Sequence, residues 1–366
     1  MRVLAVATMN RRVQDNIREY VDDSEGHYLR QIDKTARALA ANAAEKPFIL
    51  ISGPSGSGKT TTAFRLKNAL NKAGFKTHAL SMDNYFFPLH DPRNEREPDG
   101  SIDFESPKRL DTELLSEHLE KILRGEEIIP PAFDFARQER TKGGRLRLGE
   151  NEFVVIEGIH SLNPAVTGSV SAVASGVYVS VRTRIKGKGG GLMHPSKIRL
   201  MRRLVRDKLF RGRRAAQTLQ FFEKVERGEE IYIHPYKGLA EHGIDAFIAY
   251  ETAVYKKFLT DDLNALRGSY DGFERYEELM EILEETADVD LEYAPRDSLV
   301  REFAGGSRFE YFGSQKKKKK NGRFAPVFYA FKPEFQSTRE WSMTTAFSSL
   351  IYFFSWKSPA FFVTCS

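Results

Sequence analysis

The sequence contains only one cysteine among its 366 residues, Cys365, one position before the end. A single thiol cannot form a disulfide within the chain, so a disulfide-stapled fold is excluded and a reducing, cytoplasmic location is expected. Long apolar runs are also missing. The longest, around residues 350–356, is too short to cross a bilayer. The apolar segment at residues 3–8 precedes its arginines, which is the wrong order for a secretory signal.

Most of the chain has no excess of positive or negative charge. The net charge of +6 comes from residues 313–366, which hold nine Lys or Arg and two Asp or Glu. Residues 1–312 hold 47 basic and 48 acidic groups, so the composition gives no reason to expect a nucleic-acid partner for this part. Segment 313–366 is basic, aromatic and without periodicity. We expect it to be disordered or non-native, with a tether for an acidic partner or membrane surface as the alternative.

Buried strands and helices alternate along the rest of the sequence. Apolar runs predict strands at 47–52, 76–83, 152–160, 177–183 and 245–251. Periodicity of 3.6 predicts helices at 27–46, 60–73, 111–125, 196–211 and 251–266, the first with Leu29, Ile32, Ala36 and Leu39 on one face. This order predicts an α/β fold with a mainly parallel sheet. We expect a helical extension at 1–45, a catalytic domain at 46–312 and the extension at 313–366.

A glycine-rich loop follows the first of these strands, in "ILISGPSGSGKTTTAF" at residues 49–64. It satisfies the pattern G-x-x-x-x-G-K-[ST], in which glycines let backbone N–H groups turn inward toward phosphate oxygens. Lys59 can reach the β- and γ-phosphates, and the Thr60 hydroxyl is placed for Mg²⁺. The motif predicts a triphosphate site formed by Gly53, Ser55, Gly56, Ser57, Gly58, Lys59, Thr60 and Thr61. No guanine-type N-K-x-D motif follows, and "GKGGG" at 187–191 has neither flanking element, so it is interpreted as a loop.

Two acids stand at predicted strand ends, Asp83 in "LSMDNYFF" and Glu157 in "VVIEGIH". Ligands of open α/β sheets lie beyond the carboxyl ends of the strands. An acid at this position can hold Mg²⁺ or accept a proton from an attacking hydroxyl. A helix cap or surface carboxylate is the alternative for each acid taken alone.

Basic residues dominate the helix predicted at 196–211. Arg199, Arg203 and Arg206 share one of its faces, and Arg211, Arg213 and Arg214 surround Gly212. Such a helix can close over bound nucleotide and stabilise the charge of phosphoryl transfer. A solvated basic face and nucleic-acid binding are the alternatives, although the interleaved aromatics of a single-strand channel are missing.

Together, these motifs resemble the uridine kinase / phosphoribulokinase family of P-loop kinases, and especially its bacterial-type nucleoside kinase branch. The matching stretches are "GPSGSGKTT", "SMDNYF", "PDGSIDFESPKRLD", "PAFDF", "VVIEGIHSLNP", "RLMRRLVRDKLFRG" and "REFAGGSRFEY". The resemblance implies a P-loop NTPase fold with a helical, arginine-rich lid. It also implies an ATP- and Mg²⁺-dependent kinase of pyrimidine salvage that phosphorylates the 5′-hydroxyl of a uridine- or cytidine-like nucleoside. A homo-oligomer is possible in this family.

The resemblance also implies roles for individual residues. The catalytic residues are Asp83, Lys59, Arg206 and Arg211, and Asp83 is the acid that activates the hydroxyl. Mg²⁺ is assigned to Thr60, Asp83 and Glu157. The substrate-binding residues are Glu105, Tyr85, Phe133, Gln138, Arg203 and Arg213, with Asp103 as a competitor of Glu105 for the ribose hydroxyls.

Some positions depart from the family pattern. In "FDFARQER", Phe133 replaces a tyrosine, and Gln138 stands near a histidine that contacts the pyrimidine. A glutamine can still hydrogen-bond a base edge, but the base stays open. Alternatives are therefore another alcohol or sugar phosphate as acceptor, or a nucleotide-binding regulatory protein. His160 and His234 are interpreted as structural. "AVATMNRRV" resembles the junction after a threonyl-tRNA-synthetase-like domain, and we expect the chain to lack that domain.

Overall fold

A five-stranded parallel sheet forms the centre of the computed structural model, which describes residues 2–97, 100–134 and 137–309. The extension predicted at 313–366 lies outside the described residues. The strands are β1 (Val3–Ala5), β2 (Phe48–Ser52), β3 (Lys76–Ser81), β4 (Pro131–Asp134), β5 (Glu139–Lys142), β6 (Glu152–Glu157), β7 (Ala174–Ser180), β8 (Arg184–Lys186), β9 (Leu192–Met193) and β10 (His242–Asp245). The helices are α1 (Val6–Ala41), α2 (Lys59–Lys72), α3 (Thr112–Leu123), α4 (Pro164–Thr167), α5 (Pro195–Phe210), α6 (Ala215–Tyr232), α7 (Glu251–Asn264), α8 (Glu277–Glu285) and α9 (Val300–Ala304).

The central sheet has the order β10-β7-β2-β6-β3, and every pairing in it is parallel. Side chains alternate across a strand, so β2 contributes to two cores. Ile49 and Ile51 pack in the core on one face, and Phe48 and Leu50 pack in the core on the other. Because both faces are covered, the strand is a continuous apolar run. The predicted α/β fold of the P-loop NTPase type is confirmed, with β2 in the middle of the sheet.

Helix α1, which lies in the helical extension predicted at 1–45, packs on the same core as one face of the sheet. Its backbone leaves helical geometry at Asn16, where two helical segments join at a kink. Tyr28 and Ile32 are buried at the spacing of one helix face, and the Tyr28 hydroxyl hydrogen-bonds the Thr62 hydroxyl of α2 at 2.7 Å. Leu29, predicted on this face, is half-buried beside it.

The strand predicted at 245–251 is wrong in its position. Strand β10 ends at Asp245, and residues 246–250 form a buried irregular segment before α7. Side chains satisfy the backbone here: the Phe247 N–H donates to Asp245 and the Ile248 N–H donates to Glu251. An apolar run without periodicity does not distinguish this segment from a strand.

The smaller strands form a hairpin and a second sheet at the margins of the fold. Strands β4 and β5 pair antiparallel, and β8 pairs with β1 and β9 in the second sheet. The "GKGGG" segment connects β8 to β9, which confirms its interpretation as a loop. Within the described ranges, none of the helices combines the length and apolarity required to span a membrane.

A fully buried ion pair connects α5 to α7. Arg202 donates from Nε and Nη2 to the Glu251 carboxylate at 2.7 and 2.8 Å, and neither side chain reaches solvent. Arg202 also donates to the carbonyl oxygens of Ala246 and Gly56. The guanidinium therefore joins α5, the irregular segment and the glycine-rich loop in one network. Sequence periodicity could not reveal this pair, because its partners are 49 residues apart.

We predict that Glu251→Gln lowers the free energy of unfolding by about 3–5 kcal/mol, because it leaves the Arg202 charge buried without a counter-charge. Chemical denaturation monitored by circular dichroism would measure this loss. Glu284→Gln, in the exposed pair with Arg267, serves as the control and should cost less than about 1 kcal/mol. The double variant Arg202→Met, Glu251→Leu should regain part of the loss. Equal, small effects of both single variants would contradict the prediction.

Candidate active site

The glycine-rich loop leads from the end of β2 into the first turn of α2. A Cβ atom at Gly53 would lie 2.0 Å from the carbonyl oxygen of Val179, so no larger residue fits there. Gly58 has φ +89°, in the left-handed region, and a Cβ atom there would meet Leu299 at 2.4 Å. The predicted strand–loop–helix context of the phosphate motif is thus present in the fold.

Lys59 lies in the cleft above this loop. Its Nζ donates to the Pro54 carbonyl oxygen at 3.2 Å, so the side chain folds back over the loop. Burial lowers the pKa of Lys59, while the charges of Glu157 and Asp83 act in the opposite direction. The ammonium group therefore stands among the acids that the sequence places at strand ends.

Helix α5 braces the loop with buried arginines. Arg199 forms a two-point ion pair with Glu229 of α6 at 2.5 and 2.7 Å, and it donates to the Ser55 carbonyl oxygen at 3.0 Å. Arg203 donates to the Ser55 hydroxyl at 2.5 Å. Both arginines are 6% exposed, so the alternative of a solvated basic face is wrong for this part of the helix.

The predicted lid arginines collect around an acid that sequence reasoning missed, Asp207. This side chain is fully buried, and Arg206, Arg211 and Arg213 lie 3.3–3.4 Å from its carboxylate oxygens. Burial would raise the pKa of Asp207, but the charges of its arginines together lower it, Arg206 most strongly. Asp207 therefore sets the positions of the three arginines. In the sequence, Asp207 could have been recognised as a single acid within a run of basic residues.

Asp83 and Glu157 lie in the same cleft at adjacent strand ends. Strand β6 ends at Glu157, and Asp83 follows β3 in a short 3-10 turn, Met82–Tyr85. Burial raises the pKa of Asp83, although the charges of Lys59, Arg211 and Arg206 lower it. Burial, and then the charge of Asp83, raise the pKa of Glu157 to about 7, while the Ser81 hydroxyl donates to Glu157 at 2.8 Å.

These two acids suit a divalent cation held together with phosphate oxygens. Among the residues that the structure describes, no three His, Cys, Asp or Glu side chains form a metal cage. Mg²⁺ does not need one, because it is usually held by one or two carboxylates, waters and substrate phosphates. A cation here would offset the repulsion that raises the pKa of Glu157. Thr60, half-buried at the start of α2, is the third predicted ligand.

Glu105 and Asp103, two candidates for the same role, have different surroundings. Asp103 accepts hydrogen bonds from the Tyr232 hydroxyl and from the Glu105 N–H, at 3.0 Å each. Glu105 Oε2 is buried without a hydrogen-bond partner among the described residues. Burial raises the pKa of Glu105 to about 7, while the charge of Arg203 lowers it. Glu105 is therefore the acid with a free acceptor, and Asp103 supports its loop.

The aromatic and amide residues predicted to contact the nucleoside differ in their surroundings. Tyr85 is fully buried, and its hydroxyl hydrogen-bonds His118 at 2.8 Å, so its contact with a nucleoside stays a prediction. Phe133 lies on β4, edge to face with Phe86 at 6.1 Å. Gln138, half-buried in the turn just before β5, has φ +56°.

Arg140 fastens the β4–β5 hairpin to the turn that carries Asp83. It donates to the carbonyl oxygens of Phe86 at 2.7 Å and Tyr85 at 2.5 Å, and to the Asp111 carboxylate at 2.8 Å. On the other strand, the Phe133 N–H donates to the Asn84 side chain at 3.0 Å. The hairpin is thus held beside Asp83 by a contact from each strand.

The two histidines that the sequence analysis interprets as structural have different surroundings. His160 is 2% exposed, packs against the Tyr232 ring, and has a pKa that burial lowers to about 4. His234 lies near the surface, 3.2 Å from Glu230.

The chain is similar in sequence to one family of kinases. The profile of the phosphoribulokinase / uridine kinase family matches residues 48–252, more than half of the chain. A uridine kinase of Halobacterium salinarum is 28% identical over 193 residues, which cover 52% of this chain and 76% of that protein. A uridine kinase of Deinococcus deserti is 28% identical over 218 residues, which cover 56% of this chain and 95% of that protein.

A uridine kinase of Schizosaccharomyces pombe is 29% identical over 177 residues, 48% of this chain but only 35% of the yeast protein. Kinases of this family are phosphotransferases that use ATP and, in general, a divalent metal. The matched range contains the phosphate loop, both strand-end acids and the arginines of α5. The chain belongs to the phosphoribulokinase / uridine kinase family.

Proposed function

We propose that this protein transfers the γ-phosphate of ATP to the 5′-hydroxyl of a uridine- or cytidine-like nucleoside, giving a nucleoside monophosphate and ADP. One observation carries the proposal: Asp83 lies within the electrostatic reach of Lys59, Arg206 and Arg211. An acid at the centre of phosphate-binding cations can accept a hydroxyl proton while those cations hold the transferred group. The uridine kinase relatives support a nucleoside as the acceptor.

The proposed reaction uses these residues in order. Asp83 accepts the proton of the 5′-hydroxyl as the new bond from oxygen to the γ-phosphorus forms. The bond from the γ-phosphorus to the bridging oxygen breaks, and ADP leaves with that electron pair. Lys59, Arg206 and Arg211 stabilise the charge that spreads over the phosphoryl oxygens. Thr60, Asp83 and Glu157 would hold Mg²⁺, which neutralises phosphate charge when it is bound.

In this proposal, Glu105 and the β4–β5 hairpin bind the nucleoside acceptor. The unpartnered carboxylate oxygen of Glu105 suits a pair of ribose hydroxyls, since an ionised carboxylate only accepts hydrogen bonds. Phe133 supplies an apolar ring, and Gln138 supplies an amide that can donate and accept along a base edge. Arg203, which donates to the Ser55 hydroxyl, and Arg213, which pairs with Asp207, are the remaining substrate-binding residues of this proposal.

We predict that ADP formation with Mg²⁺ requires an added nucleoside. Lys59→Ala should abolish turnover, and Asp83→Asn should lower kcat by about 10²–10⁴-fold because the proton acceptor is lost. Coupled spectrophotometry, with product masses from mass spectrometry, would measure both. ATP binding by calorimetry serves as the control and should survive Asp83→Asn.

Two outcomes would contradict the proposed reaction. A panel of nucleosides that never raises ADP formation above background, while a sugar phosphate or another alcohol does, would move the acceptor to that class. ATP binding without transfer to any acceptor would favour the regulatory-protein alternative.

We predict that Arg140→Ala raises the KM for the nucleoside about tenfold and leaves the KM for ATP unchanged. The variant loses three hydrogen bonds from a charged group, each worth about 1.5–3 kcal/mol, and part of that loss appears as disorder of the hairpin. Arg140→Lys should restore part of the affinity. Arg145→Ala, which removes an exposed arginine, serves as the control. A change in ATP affinity equal to the change in nucleoside affinity would contradict this positioning role.

We predict that nucleoside binding strengthens as pH rises through about 7, the pKa to which burial raises Glu105. Below this pKa the Glu105 carboxyl is protonated and accepts hydrogen bonds from ribose hydroxyls poorly. Above it the carboxylate accepts a hydrogen bond from both hydroxyls, so affinity rises with pH. Calorimetry without Mg²⁺ and ATP would isolate this effect from the metal-binding acids. Glu105→Gln should bind more weakly and show a flat profile. The same pH profile in both proteins would exclude Glu105 as its source.

A further inference from the structure

A segment near residue 300 lies across the start of α2, and we refer to residues 297–309 as the strap. Its Asp297 accepts a hydrogen bond from Arg65 of α2 at 3.0 Å. The Phe309 ring stacks on Phe64 with centroids 5.3 Å apart and planes 9° from parallel. The strap is therefore packed against the helix that follows the phosphate loop.

One acid of the strap, Glu302, extends to the first turn of α2. Its Oε2 accepts the Thr61 N–H at 3.2 Å and the Thr61 hydroxyl at 2.5 Å. Thr61 is fully buried. Burial raises the pKa of Glu302, while the hydrogen bonds from Thr61 and the charges of Arg202 and Arg206 lower it. The contact joins positions 241 residues apart, so it is a product of the tertiary fold and not of local sequence.

The Glu302 carboxylate lies at the first turn of a helix, where anions bind. The first N–H groups of a helix lack partners within the helix, and with the helix dipole they attract anions. In a loop of this pattern, those N–H groups cradle the α- and β-phosphates of the nucleotide. Glu302 is an anion of the protein itself that occupies one of these donors. The Thr61 N–H has one hydrogen and cannot serve a carboxylate and a phosphate equally.

We propose that Glu302 is a residue of the nucleotide site that competes with the nucleotide phosphate for the donors of Thr61. Binding of a nucleotide then requires the carboxylate to leave the Thr61 N–H. The competition lowers nucleotide affinity and makes the start of α2 sensitive to the position of the strap. This inference concerns the donor nucleotide alone, so it does not depend on which acceptor the enzyme uses.

A purely bracing role for Glu302 makes the opposite prediction. If the carboxylate only fastens the strap to α2, weakening it would leave nucleotide affinity unchanged or lower it. Asp297 offers a matched control, because it also joins the strap to α2 but contacts Arg65 and not the phosphate cradle.

The test is the affinity for ADP, measured by calorimetry without any acceptor, for wild type, Glu302→Gln and Asp297→Asn. Glutamine has the same shape, but its neutral amide oxygen accepts from Thr61 more weakly than a carboxylate does, so the fold is kept while the competition and the like-charge repulsion are both reduced. We expect Glu302→Gln to bind ADP about tenfold more tightly and Asp297→Asn to match wild type within about twofold. Thermal unfolding without nucleotide would verify that both variants are folded.

Affinity of Glu302→Gln equal to or weaker than wild type would overturn the inference, as would failure of both proteins to bind ADP. Equal tightening in Asp297→Asn would also overturn it, because the effect would then come from loosening the strap. Turnover with nucleosides is a separate measurement. A protein without nucleoside kinase activity can still bind ADP more tightly as Glu302→Gln, so the two proposals fail independently.

Discussion

Two buried arginines of α5, each paired with a glutamate, are the constraint on which the site depends. Arg199, paired with Glu229 of α6, donates to the Ser55 carbonyl oxygen, and Arg202, paired with Glu251 of α7, donates to the Gly56 carbonyl oxygen. The Ser57 N–H also donates to the Pro54 carbonyl oxygen at 3.1 Å, so the turn of the loop is closed from within as well as held from α5. The ion pairs thus orient the loop before any ligand arrives. Such preorganisation is the main contribution a protein can make to phosphoryl transfer.

The cleft holds charges of both signs at high density. Burial raises the pKa of Glu157 and of Glu105 to about 7 and lowers the pKa of Arg211 to about 9. Acids and bases are therefore pushed toward neutrality together, since either charge is costly at low dielectric without a partner. A bound triphosphate would give the buried arginines a negative partner, and a divalent cation would give the buried acids a positive one. The Glu302 carboxylate is an internal substitute for one part of that missing negative charge.

The sequence predicted the parts of the site that local patterns encode. The strand, loop and helix around Lys59 follow from a short motif, and Asp83 follows from its place after an apolar run. The family resemblance placed Tyr85 among the aromatics of the nucleoside pocket, and local sequence did not reveal that its side chain is buried in the core. Asp207 and Glu302 could not be assigned, because their roles come from partners that only the fold brings together. Long-range pairing of buried charges leaves no periodic signal.

In the β4–β5 hairpin, the residue that holds the hairpin in place differs from the residue proposed to contact the acceptor. Arg140 holds the hairpin by backbone carbonyl oxygens of Tyr85 and Phe86, which any side chains at those positions would offer. Gln138 has φ +56° in the same hairpin, a strained conformation for this residue that the surrounding contacts maintain. In the proposed reaction, a change of residue at 138 would therefore alter the group offered to the base without moving Asp83. Under that proposal, the departure from the family pattern at this position bears on which nucleoside binds, and not on whether phosphoryl transfer takes place.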